Sequence, residues 1–96
     1  MNRRDFFDRI RERCKSLYTP EMDSVWKPII EQLDYLIAFE SEEAIDRAMI
    51  QNIDVGLRAL RNLDDIYPDL ARELYEVQRN AESMAIENGM RNRLAI

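Results

Sequence analysis

Carboxylates are the main chemical resource of this chain: 19 Asp and Glu stand against 14 Lys and Arg, and there is no histidine. The commonest general base and the commonest metal ligand are therefore both missing. Carboxylate pairs at helical spacing, Glu42/Asp46 and Glu73/Glu76, have the form needed for acid–base work, yet nearly every acidic helix holds such pairs. Di-iron bundles need Glu-x-x-His ligands, and neither a glycine-rich phosphate loop nor a calcium loop with its glycine is present. The single cysteine, Cys14, cannot close an internal disulfide, and nothing beside it supplies a thiolate. It falls in register with Phe6, Phe7, Ile10 and Leu17, which points to packing. No catalytic, metal or cofactor-binding residue is assigned, no cofactor is expected, and an enzyme is not expected. Recognition is what remains for the carboxylates.

Their distribution says what they would recognise. Residues 1–15 carry six basic and three acidic side chains, and Arg91 and Arg93 make the end positive. Residues 16–90 then hold 6 basic and 16 acidic groups, a balance of −10. Such a body repels phosphate, so nucleic acid is not the expected partner. A basic protein surface, reached by electrostatic steering, is. The basic run Arg9–Lys15 is broken by Glu12 and reads as a solvated helix face.

Helices must position these groups. With 2 Gly, 3 Pro and 46% hydrophobic residues in a 96-residue chain, the sequence reads as one all-α domain, residues 1–96, with a real core. The periodicity predicts helices over about 4–18, 24–39, 42–65 and 68–88, with a frayed tail at 90–96, arranged as a four-helix antiparallel bundle or a similar compact helical array. Thr19-Pro20 ends the first helix, and Pro28 in the second is tolerable if it lies in the first turn. Ser41 is the expected N-cap of the third helix, followed by Glu42 and Glu43. Its apolar stripe reads Ile45, Met49, Ile53, Leu57, Leu60 and Leu63, widened by Ala48, Val55 and Ala59. Gly56 lies on the same face, where close approach by a neighbouring helix would offset its cost of about 1 kcal/mol. Pro68 opens the fourth helix and Gly89 would close it.

On the second helix Glu31, Asp34, Tyr35 and Phe39 turn away from the core stripe. Tyr35 and Phe39 read either as packing on the first helix or as an exposed aromatic anchor inside an acidic rim. The following Glu40-Ser41-Glu42-Glu43, with Asp46 one turn on, reads either as a soluble turn or as a negative knob for a basic cleft. The candidate partner-interface residues are Asp34, Tyr35, Glu40, Glu42, Glu43 and Asp46.

Three stretches carry a family resemblance: Ile29-Ile30-Glu31-Gln32-Leu33-Asp34-Tyr35-Leu36-Ile37, Ile53-Asp54-Val55-Gly56-Leu57-Arg58-Ala59-Leu60, and Tyr67-Pro68-Asp69-Leu70-Ala71-Arg72-Glu73-Leu74. Together they make the chain similar to small helical immunity proteins of bacterial type VI secretion, in particular those that neutralise NAD(P)-hydrolysing toxins with an ADP-ribosyltransferase-like fold. Tyr67 departs from the acidic cap that the pattern places before its proline. The resemblance implies a cognate toxin domain as partner, its basic nucleotide-binding cleft occluded by this chain. The alternative is a helical regulatory, adaptor or antitoxin-like module acting by helix–helix association or as a homodimer. No apolar run approaches the roughly 18–20 residues that span a bilayer, and no apolar segment follows Met1-Asn2-Arg3-Arg4-Asp5, so no membrane partner and a cytoplasmic location are expected.

Overall fold

In the computed structural model, which describes residues 2–43 and 45–94, with side chains to Gly89, the first helix begins at a side-chain cap. The Asn2 side chain accepts the Asp5 N–H at 2.8 Å and starts α1, Arg3–Leu17. This helix buries Phe7, Ile10 and Cys14. Pro20 opens a single 3-10 turn, Pro20–Met22, and α2 follows as Asp23–Glu40, burying Trp26, Ile29, Leu33, Leu36 and Phe39. Pro28 lies inside α2 beyond the first turn, not within it. It has no N–H to return to the Ser24 carbonyl, and Ser24 is an exposed residue.

The helix expected over 42–65 does not form as one element. Ser41 ends α2 instead of starting a new helix, its hydroxyl donating to the Ile37 carbonyl at 2.8 Å. Glu42 then takes φ 57°, with its N–H on the Phe39 carbonyl and the Glu43 N–H reaching back to Ala38 at 3.1 Å. That is the Schellman ending, with a glutamate where glycine is usual. Downstream of Ala44, which lies outside the described residues, the Asp46 carboxylate accepts the Ala48 N–H and starts a 3-10 segment, Arg47–Asn52. Only Val55–Asn62 is α-helical here, as α3.

Breaking the helix changes which residues are inside. Ile50, Ile53, Val55, Gly56, Ala59 and Leu63 are buried, whereas Met49, Leu57 and Leu60, expected in the stripe, are 49%, 45% and 58% exposed. The close approach expected at Gly56 is present and comes from Gln78, on α4. Pro68 is the first residue of α4, Pro68–Leu94. That helix continues through Gly89, so residues 90–94 are helical and the expected tail is shorter; residues 95 and 96 lie outside the described set.

Side-chain pairs give the helix directions. Arg3 meets Asn80 and Glu87 while Arg13 meets Glu73, so α1 and α4 run antiparallel. Arg3 with Glu40 and Arg11 with Asp34 set α1 against α2 in the same sense. The fold is the expected all-α array of four α-helices. Its core joins Trp26, Leu33 and Leu36 of α2 with Leu70, Leu74 and Val77 of α4.

Candidate partner interface

The end of α2 and the connector to α3 place the expected interface residues in very different situations. Asp34 is held by Arg11, whose Nη1 donates to its Oδ1 at 3.0 Å. Glu40, at the last position of α2, stands 3.7 Å from Arg3. Asp46 keeps its carboxylate exposed but uses one oxygen as a helix cap. Glu42 and Glu43 are exposed and form no ion pair among the described residues. They share this with other exposed carboxylates away from the turn, Glu21, Glu31 and Asp65 among them.

Phe39 is buried, so it is not an exposed anchor, and Tyr35 is half-buried. Both are covered by the connector. The Tyr35 hydroxyl donates to the Asp46 carbonyl at 2.7 Å, and the Arg47 guanidinium lies 3.7 Å from the centre of the Phe39 ring. At that distance a cation–π contact adds to packing. Arg47 also donates to Asn88 of α4 at 3.3 Å, fixing the connector from the far side. Burial and the Asp46 carboxylate push the Tyr35 hydroxyl above its ordinary range, partly opposed by Arg47 and the Ile50 N–H. Both side chains are thus partly or wholly spent inside this chain.

Two glutamines position the joint between the connector and α3. Gln32 of α2 accepts the Asp54 N–H at 2.8 Å and donates to the Asp54 carboxylate at 2.6 Å. Gln78 of α4 accepts the Gly56 N–H at 3.1 Å and donates to the Ile53 carbonyl at 2.8 Å. Both amides satisfy backbone groups that α3 leaves open at its start. Between α2 and the connector runs a groove of about 320 Å³, walled by Pro28, Glu31 and Tyr35 on one side and Met49 and Ile53 on the other. The sequence reading did not find this groove; the signal available was an exposed methionine, which a continuous helix would have placed in the core.

Cys14 is buried, and burial, with Glu73 against Arg13, pushes its thiol up to about 12. Among the described residues no three His, Cys, Asp or Glu side chains gather as a metal site needs. No helix of the described residues is long and apolar enough to cross a membrane. Comparison with known proteins gives one family: the sequence model of Tsi6 matches residues 4–83. No curated protein and no solved structure matches the chain.

Proposed function

The chain belongs to the Tsi6 family of type VI secretion immunity proteins, and we propose that it acts by binding a cognate secreted toxin and covering its active-site cleft. The reading takes the toxin to be NAD-consuming, with an ADP-ribosyltransferase-like fold, and the chain to work without catalysis in the cytoplasm. A cleft that binds a dinucleotide diphosphate presents positive charge, and an acidic protein can occupy it in the ligand's place. The observation that carries this proposal is the pair Glu42 and Glu43, exposed and without an ion pair among the described residues, at the turn ending α2. Asp46 extends that charge, Tyr35 lies half-buried beside it, and Asp34 and Glu40 supply negative potential already shared with Arg11 and Arg3.

The test uses the cognate toxin domain that the proposal requires. Wild-type protein should abolish its NAD hydrolysis at equal stoichiometry. The double change Glu42→Lys, Glu43→Lys should slow association by about tenfold, and the difference should shrink as salt is raised. Equal association by the two proteins at low salt removes this site assignment.

One observation favours the second reading, a module that pairs with itself. Leu57 and Leu60 are large, apolar and exposed on one side of α3. Sedimentation of the purified protein decides it: a concentration-dependent dimer that Leu60→Lys abolishes supports self-association, and a monomer at all concentrations rejects it.

A further inference from the structure

The groove between α2 and the connector has a composition that the acidic turn does not explain. We propose that it receives one long cationic side chain, an arginine or lysine presented by the protein partner. This rests on the reading of the chain as a toxin-binding protein and adds the chemistry of one contact to it.

The charges in the groove decide its preference. Arg58 stands at its edge, but its Nε donates to Asp54 at 2.8 Å, and that carboxylate also takes the Gln32 amide. The basic group is thus balanced locally. Glu31 is exposed, lines the groove, and forms no ion pair among the described residues. It is the groove's unpaired charge; the Asp46 carboxylate, beyond the groove's lining, acts on the Tyr35 hydroxyl but is opposed there by Arg47. An anion is therefore repelled and a cation favoured.

The walls fit the rest of such a side chain. Arginine and lysine lay an apolar stem along apolar surface and keep the charge at the tip. Here Pro28, the exposed Met49 and Ile53 offer that surface, and Tyr35 lines the groove beside them. Methionine suits the purpose because its unbranched thioether adapts to the shape it meets. Met49 is nearly half exposed in the middle of the connector, away from the chain's own core.

The probe is a short peptide, acetyl-Gly-Arg-Gly-amide, with its citrulline counterpart as a neutral isostere. Titration into the purified protein, followed by amide NMR, should shift residues 29–35 and 49–53, with a dissociation constant on the order of 1 mM. The citrulline peptide should leave them unchanged, as should the arginine peptide on Glu31→Gln protein, whose exposed position keeps the fold intact. Absence of shifts in this groove, or equal shifts with citrulline, overturns the proposal. With the cognate toxin domain, Glu31→Arg should weaken binding at least tenfold. Full binding by Glu31→Arg while Glu42→Lys, Glu43→Lys is impaired removes the groove proposal and leaves the toxin-binding reading intact. If wild-type protein does not bind the toxin domain, that reading falls, and the peptide titration decides the groove on its own.

Discussion

Gly56 and Gln78 approach so closely that a side chain does not fit between them: a Cβ on Gly56 would stand 2.9 Å from the Cβ of Gln78. The same Gln78 amide holds the Gly56 N–H and the Ile53 carbonyl. The obstructing atom belongs to the root of the Gln78 side chain, so it cannot swing aside without moving α4 away from α3. Gly56→Ala should therefore destabilise the protein by about 1–3 kcal/mol, despite alanine's better helix propensity. Urea unfolding checks this, and a stabilised variant would mean that the two helices are not in contact here.

Glu42 holds a left-handed backbone conformation, φ 57°, that a side chain makes unfavourable. The cost for an L-residue is about 1–2 kcal/mol, and glycine avoids it. Glu42→Gly should raise the melting temperature by several degrees, on the order of 4–8 °C per kcal/mol for a domain of this size. It should also slow toxin association, because it removes one of the free charges. A stabilised protein that neutralises less well is the expected pairing of results.

Leu60 and Leu63 look alike in the sequence and differ in the fold, at 58% and 0% exposed. Leu63→Ala should cost about 2–5 kcal/mol, whereas Leu60→Ser should change stability by no more than about 0.5 kcal/mol. Thermal unfolding of the two variants side by side is sufficient.

Asp54 links stability to pH. Burial alone would lift its carboxyl, but hydrogen bonds from Gln32 and Arg58, with the charge of Arg58, hold it below the ordinary value of 3.8. A carboxyl lowered on folding contributes stability that is present above the unfolded value and lost as pH falls through the folded one. Asp54→Asn should thus be less stable than wild type near neutrality, and the gap should close as the pH drops below 3.8. Denaturation curves at several pH values read this directly.

Helical periodicity was enough to find α1, α2 and α4 and the buried side of each, because the tertiary partners reward the same stripe that the spacing displays. It failed between Ser41 and Leu63. There the apolar residues keep helical spacing, but Ser41 and Asp46 use their side chains to end one element and begin another, and such local bonds compete with a continuous helix. Gly56 was readable because a glycine on an apolar helix face has few reasons to be there other than contact. The candidate interface was readable in residue type and not in availability. Arg3 lies far from Glu40 along the chain, and Arg11 far from Asp34, yet folding pairs them. Which carboxylates stay free is a property of the assembled helices.

The placement of α4 bears on when the protein becomes competent. Leu70, Leu74, Val77, Ala81 and Met84 of α4 complete the core, and Glu73 anchors both Arg9 and Arg13 of α1. A ribosome that has not yet translated Pro68 has produced α1, α2, the connector and α3, whose apolar sides then lack the core that α4 completes. Neither Gln78 nor Asn88 yet exists to fix the connector. On the proposed function, a message that ends before α4 should yield no partial immunity.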